Sequence, residues 1–377
     1  MNSTTHDVVV VGAGIVGAAC ARAFAREKMS VVLIESNIVG GGATAAGMGH
    51  VAMMDDSPAQ FALTNYSQRL WHELADQFPQ DCECDNYGAL WVAADQEEME
   101  AVWQKKKFYT DHGVAAEALD AAALAEAEPN LRPGMAGGLL LRGDLVVYPP
   151  CVARWLIERA CEQGARLQTG VAAREIGDDG VWLSDGSMLS AGIIINAAGT
   201  WASELTPGLP IRPRKGHLVV TDRYPGFLRH QLIELGYLKS AHSVCADSVA
   251  FNVQPRPTGQ VLIGSSRQFD DSTTVVDWNI LARMIARARE YMPALAELSA
   301  IRIWTGFRAA TPDKLPLIGP HQDYKRVYLA AGHEGLGIST SLGTAEILVD
   351  RILNRPTAIP FEPYLPSRFS NGKNHGQ

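Results

Sequence analysis

The sequence predicts an α/β fold in which a second domain, built of antiparallel strands and a helix, is inserted into a parallel-sheet domain. Three observations predict it. A β-branched run, Asp7 to Val11, opens onto glycines and an Ala-rich helical pattern, and a second run, Ser30 to Glu35, closes a βαβ unit of about 30 residues. The βα character returns at Pro149 and again at Val327. Between these pieces lie alternating apolar runs punctuated by Pro and Gly, as antiparallel strands require.

Taken in order, Gly17 to Lys28 is Ala-rich and free of proline, with a basic end that suits a helix C-terminus. Asn65 to Phe78 sets Tyr66, Leu70, Trp71, Leu74 and Phe78 mostly on one helical face. Gly88 to Ala93 reads as a strand, Gln96 to Gly113 as a charged helix, and Leu119 to Glu128 as a short helix stopped by Pro129. Prolines precede a helix over Cys151 to Gln163, with Gly164 as its C-cap and a strand through Leu167. Gly180 to Leu183, the turn Ser184-Asp185-Gly186 and a return toward Ile193 to Ile195 form a hairpin. Antiparallel strands are expected between Ile211 and Phe269, a helix over Val276 to Met292, and a buried strand over Val327 to Ala331. The last helix is expected from Ser341 to Leu353, ending before Pro356.

With 377 residues, 47% apolar and 20% charged, the chain has the content of a globular protein of two or three domains, which excludes a disordered or fibrous one. A formal charge of -8 argues against nucleic acid or an anionic membrane as a bulk electrostatic partner. No basic-then-apolar export pattern opens the chain, and the run Val8 to Ala21 is broken by glycines and too short to span a bilayer. A cytoplasmic protein with reduced thiols and no transmembrane segment is therefore expected. Cys82 and Cys84 lack a second Cys/His pair at zinc spacing, so they read as ordinary thiols and no metal is expected.

Gly12-Ala13-Gly14-Ile15-Val16-Gly17 sits between the first strand and helix. The first glycine allows a tight turn, the second lets a pyrophosphate approach the backbone, and the third lets helix pack on strand, while the helix N-terminus offers free N–H groups. Glu35 ends the next strand, where a carboxylate accepts hydrogen bonds from an adenosine ribose and disfavours a 2′-phosphate. This is a Rossmann-type signature that does not by itself separate NAD from FAD. A second cluster, Gly332-His333-Glu334-Gly335-Leu336-Gly337-Ile338, occupies another strand-to-helix junction. Its open N–H groups suit the pyrimidine end of a flavin, which gathers negative charge on reduction, and so favour FAD.

These two motifs, the loop Gly41-Gly42-Ala43-Thr44-Ala45-Ala46-Gly47-Met48, the segment Asn196 to Ala202 and the stretch Gly306-Phe307-Arg308 through Gly319 occur in one order along the chain. In that order they resemble the D-amino-acid-oxidase-like FAD-dependent oxidoreductases, a family that includes glycine oxidase, sarcosine oxidase and D-amino acid dehydrogenases. The likeness covers nearly the whole chain. Within the family, Arg214-Lys215-Gly216-His217 and the closing glycine stretch look most like the β subunits of D-hydroxyproline dehydrogenase, with opine oxidase and hydrogen cyanide synthase subunits as relatives.

The resemblance implies that Gly12, Gly14, Ile15, Val16, Gly17 and Glu35 hold the ADP half of FAD, and that Ala43, Thr44, Ala46, Gly47 and Met48 line the pyrophosphate and flavin. Val171, Ala198, Gly199 and Trp201 would contact the cofactor from the returning segment, and Gly332, His333, Gly335, Leu336, Gly337 and Ile338 would border the flavin. Arg308 would hold the substrate carboxylate, since a guanidinium fork grips a carboxylate bidentately. His50 is a second catalytic candidate, with a satisfied polar histidine as the alternative. Where glycine oxidase uses a tyrosine on the carboxylate, the matching position here is Asn252.

The implied function is oxidation of the C–N bond of a small amino or imino acid of the D-hydroxyproline or D-proline kind, an activity of EC 1.4 or 1.5 type. Hydride passes to flavin N5 and electrons leave to a partner subunit or carrier, an iron–sulfur protein or second flavoprotein, which could hold the chain at the inner membrane. Sarcosine oxidases use a lysine to activate oxygen, and the matching stretch Gly264 to Phe269 contains none. The alternatives are a glycine, sarcosine or D-amino acid oxidase using oxygen, or an FAD-holding assembly subunit of an opine oxidase-like complex. The expected FAD-binding domain comprises residues 1–85, 145–210 and 305–365, the substrate domain 86–144 and 211–304, and a disordered tail 366–377.

Overall fold

The β-branched runs form the interior of the first of two large sheets. The computed structural model describes residues 5–236, 247–269 and 271–372. Strand β1 (Thr5–Val11) lies between β2 (Val31–Glu35) and β11 (Met188–Asn196), all parallel. Val8 to Val11 and Val31 to Ile34 are buried on both faces, which is why they read as unbroken apolar runs. The order is β17 (Leu317–Pro320), β18 (Val327–Ala331), β11, β1, β2, β8 (Arg166–Thr169), with the hairpin of β9 (Ala173–Gly177) and β10 (Gly180–Leu183) attached to β11. Helices α1 (Ile15–Arg26), α3 (Pro58–Ala75), α6 (Pro149–Glu162) and α9 (Gly337–Ile352) share one apolar cluster with this sheet. Two short helices, α2 (Ala43–Ala46) and α7 (Ala202–Leu205), lie in its loops.

The second sheet runs β16 (Ala300–Ala310), β12 (Arg212–Arg223), β15 (Gln260–Arg267), β14 (Ser248–Pro255), β13 (Gln231–Glu234), β4 (Ala89–Ala93), β6 (Gly137–Leu141), β5 (Ala116–Asp120). Neighbours are antiparallel, as expected, except for β4 and β13, which pair in parallel. Helix α8 (Trp278–Tyr291) packs its apolar side on one face, stacking Tyr291 on Phe251, while α4 (Gln96–Asp111) and α5 (Ala121–Ala127) pack at the β4–β5 end. A small ladder of β3 (His50–Val51) and β7 (Leu145–Val146) lies apart from both sheets.

Several boundaries differ from expectation. α3 begins at Pro58 rather than Asn65, because Ser57 Oγ accepts the Gln60 N–H at 3.1 Å and proline suits the first turn. Both prolines before Cys151 lie inside α6, again because proline suits the first turn. The stretch read as one helix from Leu119 is an edge strand, β5, followed by α5, which Asp120 caps through the Ala123 N–H. α9 starts at Gly337, four residues before Ser341, on a turn that tertiary burial holds helical despite its glycine. The tail expected to be disordered from 366 forms a 3₁₀ turn over Pro366–Gly372, anchored by Arg368 Nε on Asp313 Oδ2 at 2.7 Å. Residues 373–377 and Cys245 lie outside the described residues. No helix among the described residues is long and apolar enough to cross a membrane.

Candidate active site

At the end of β1 the chain turns through Gly12, whose φ is +101°, and a Cβ there would stand 2.7 Å from the Ala197 carbonyl oxygen. A side chain on Gly17 would collide with the Gly12 carbonyl, so both positions take only bare backbone. Gly14 caps α1 without a side chain, and the first turn meets Thr44, whose Oγ1 accepts the Ile15 N–H at 3.0 Å. Glu35 is held against the glycine turn, with Oε2 accepting from Ala13 N–H and Oε1 from Asn37 N–H, each at 2.9 Å. Val16 Cγ2 lies 3.9 Å from where a Cβ on Gly337 would stand, and Ile338 Cδ1 lies 3.0 Å from one on Gly47. Three segments distant in sequence, Gly12 to Gly17, Ala43 to Met48 and Gly332 to Ile338, therefore converge.

Strand β16 crosses this convergence. A Cβ on Gly306 would overlap that of Ala46, and Trp304 Nε1 donates to the Ala46 carbonyl at 3.4 Å. Two residues beyond Gly306, the part-buried Arg308 donates from Nη1 to the Ser266 carbonyl at 3.0 Å. Its guanidinium lies over Gly216, where a Cβ would be 2.5 Å from Nη1, and beside Gly335, where one would be 3.4 Å from Nε. No carboxylate among the described residues pairs with Arg308.

The segment Arg214 to His217, on the adjacent strand β12, builds this seat. Arg214 pairs with Glu334 across the opening of the closing glycine cluster. Lys215, fully buried, donates to Asp271 Oδ2 at 2.7 Å and to the Val275 carbonyl, and this draws the Asp271 carboxyl down to about 2. His217 Nε2 accepts the Asp277 N–H at 3.0 Å, so Nδ1 carries the ring proton and donates to Ser266 Oγ at 2.9 Å. Burial, with the Lys215 charge second, pushes this imidazole below its ordinary range, so it is neutral at pH 7.

The same face of the second sheet carries a polar group further along. Gly264, whose Cβ position faces Met48 Sδ at 3.3 Å, pairs with Asn252, and Asn252 pairs with Ile233, which pairs with Trp91. Gln231, on that face of β13, donates to Asn252 Oδ1, and Gln254 Nε2 donates to the Met48 carbonyl at 2.7 Å. Gln231 Oε1, Gln254 Oε1 and Trp91 Nε1 are buried without a hydrogen-bond partner among the described residues. A cavity of about 170 Å³ adjoins this face, bounded by Met48, Tyr148, Gln254, Arg302 and Trp304.

The remaining candidates are placed less centrally. His50 Nε2 meets Asp144 Oδ2 at 3.0 Å, and Asp144 also accepts from Met53 N–H and from Gln68 Nε2, so the ring belongs to a buried polar node. The His333 ring is buried on Thr344 Oγ1 at 3.0 Å, and burial pushes it down to about 3. Gly332, at φ +76°, turns the chain out of β18, and Leu336 packs toward the cluster that contains Met53 and Trp91. Val171 and Ala198 pack against the apolar cluster of Val9, Val11 and Ile34, Trp201 lies near Gly42 and is over half exposed, and Gly199, at φ +61°, turns the chain between them. Burial pushes the Cys82 and Cys84 thiols up to about 12 and about 11, so both are protonated at pH 7. Ser266, Trp304 and Gln231 escape sequence reading, since no local pattern records a carbonyl or amide that acts across strands.

A glycine turn with no room for Cβ atoms, a helix whose N-cap glycine brings no side chain and a carboxylate closing β2 fit a dinucleotide such as FAD. The family described as FAD dependent oxidoreductase matches residues 7–351. A hydrogen cyanide synthase subunit, HcnC of Pseudomonas aeruginosa, is 27% identical in an alignment covering 97% of this chain and 96% of that protein. A glycine oxidase of the same species is 28% identical over 96% of this chain and 98% of its own. In structure, the chain is similar to glycine oxidase from Geobacillus kaustophilus, with a TM-score of 0.86, 24% identity and coverage of 97% and 99%.

Proposed function

The chain belongs to the DAO family of FAD dependent oxidoreductases, and from that premise we propose that it oxidises the C–N bond of a small amino or imino acid held by its carboxylate at Arg308. The enzyme uses FAD, which when bound is the two-electron acceptor of this chemistry. The observation that carries the reading is the part-buried Arg308, held by a backbone carbonyl and left without a carboxylate partner among the described residues. A substrate carboxylate completes that fork bidentately.

In this reading Gly12, Gly14, Ile15, Val16, Gly17 and Glu35 hold the ADP half. Thr44, Ala46, Gly47 and Met48 with Gly335 to Ile338 line the flavin. Positioning supplies much of the rate, and the histidines nearby serve structure: His217 is neutral and bonded at both nitrogens, and His333 is held on Thr344. His50, a catalytic candidate from sequence, is assigned instead to the Asp144 node.

The glycine oxidase likenesses favour an amino acid oxidase that returns electrons to oxygen over the D-hydroxyproline dehydrogenase suggested by the motifs. A second reading, a subunit that hands electrons to a partner flavoprotein or iron–sulfur protein, is favoured by the hydrogen cyanide synthase subunit likeness and by the absence of lysine from Gly264 to Phe269. A cytoplasmic site of action goes with either.

Anaerobic addition of glycine, sarcosine, D-proline, D-hydroxyproline or opines should bleach the flavin for at least one substrate, and the Arg308→Ala variant should keep FAD while KM rises about a hundredfold. Normal turnover by that variant defeats the assignment. Rapid peroxide formation on admitting oxygen selects the oxidase, and reoxidation by dye alone selects the subunit reading.

A further inference from the structure

We propose that Glu334 restricts the site to amino and imino acids with a single carboxylate, by occupying Arg214 and setting a fixed negative charge beside Arg308. The inference rests on the reading of Arg308 as the carboxylate anchor and deepens it, because it says which acids that anchor admits.

Arg214 on β12 and Arg308 on β16 are register partners, so their side chains leave the same face of the sheet with Cβ atoms about 5 Å apart. That is the face on which Gly306 meets Ala46 and Trp304 donates to the Ala46 carbonyl. Glu334 is carried there by its own backbone. Its N–H donates to the Ala309 carbonyl at 2.9 Å, and a Cβ on the next residue, Gly335, would stand 3.4 Å from Arg308 Nε. The chain thus runs alongside the Arg308 side chain and delivers a carboxylate to Arg214, whose guanidinium also lies over the Phe269 ring at 4.8 Å. Gly335 is exposed, and the Arg214 and Glu334 side chains keep 9% and 11% of their surface, so the pair borders space open to solvent.

Like charges facing each other across two strands repel, and each guanidinium taken out of water needs an anion. Glu334 meets one of the two, so the three groups together carry a single positive charge, which one substrate carboxylate neutralises. A second carboxylate on the substrate would face the Glu334 charge, and would have to displace that side chain to reach Arg214. A neutral group of the same shape meets no such opposition. The discrimination therefore comes from a repulsive group held in the site as much as from the attractive one at Arg308. Glu334 also holds φ +53°, a conformation that favours glycine, so the carboxylate and not a backbone preference is what a glutamate contributes at this turn.

The test titrates the FAD-loaded enzyme with succinate and with succinamate, acids of one shape that differ by one charge, and reads each Kd from the change in the flavin spectrum. The wild type should bind succinamate more tightly than succinate by about tenfold or more. In Glu334→Gln the ratio of the two Kd values should shift toward succinate by about tenfold, since the repulsion is gone and Arg214 is left without that carboxylate. Glu334→Gly, which suits the backbone at this position, should shift the ratio the same way and serves should the first variant fail to fold. Aspartate against asparagine, in both enantiomers, should follow the same order in kcat/KM wherever the pair is oxidised. A wild-type preference for succinate, or a ratio near one, overturns the proposal. So does a ratio unchanged in a folded variant, because a pair that serves the fold alone moves both affinities together. Failure of the underlying reading looks different: Arg308→Ala binds succinamate as tightly as the wild type, or neither acid perturbs the wild-type flavin, and the proposal falls with it.

Discussion

Gly216→Ala places a carbon 2.5 Å from Arg308 Nη1, closer than any real side chain tolerates, so the guanidinium must move. The expected result is a rise in KM of about tenfold for carboxylate substrates, with kcat changed less and FAD content unchanged, since a displaced fork loses one of two charge-assisted hydrogen bonds. Combined with Arg308→Lys the two losses should not add, because both act on the same contact, and a kinetic double-mutant cycle reads this directly. Arg308 itself was singled out in the sequence through the resemblance that its motif carries. Its seat was not. Ser266 is 42 residues away and acts through its carbonyl, and the amide of Gln231 meets that of Asn252 only because β13 and β14 fold together.

The junction of β18 with α9 carries a pH dependence. Burial holds the His333 ring neutral down to about 3, whereas an unfolded histidine takes up a proton near 6.5. Between those values the unfolded chain binds a proton that the folded chain refuses. The contribution of this residue is therefore complete above about pH 6.5 and is lost progressively as pH falls toward 3. Tm measured across that window should fall more steeply for the wild type than for His333→Gln, which can still reach Thr344; parallel curves would show that His333 does not govern the acid limb. At this scale the sequence was readable where strands are doubly buried, as in Val8 to Val11, and where caps are strong, as at Pro129. It was misread where a signal was present but outranked: Ser57-Pro58 is an N-terminal signature, yet the apolar stripe starting near Tyr66 drew the boundary later. Gly337 carries no helical signal, and only packing against α1 and α3 makes it the start of α9.

Across the molecule, Asp144 joins parts that share no strand. It follows β6 of the second sheet and accepts from His50 in the small ladder, from the Met53 N–H and from Gln68 on α3. Asp144→Ala leaves these donors buried and unmet, at a cost of about 2–4 kcal/mol that a urea titration should register as a lower midpoint, with Asp144→Asn intermediate. A midpoint within error of the wild type would show that water replaces the carboxylate. The layout of pieces returning to one sheet was visible in the sequence as α/β character that stops and resumes. The parallel pairing of β4 with β13 was not visible, since their partnership depends on strands about 140 residues apart meeting at one register.

The first sheet keeps β18 beside β11, with β1 on the far side of β11. In the order of synthesis this reverses what the motifs suggest. The glycine turn of residues 12–17 leaves the ribosome more than about 280 residues before the strands and helix that close its site, β16, β18 and α9. A nascent chain thus holds an unfinished nucleotide cradle until those elements emerge, and a chain released before Val327 should retain no flavin however well its first βαβ unit folds.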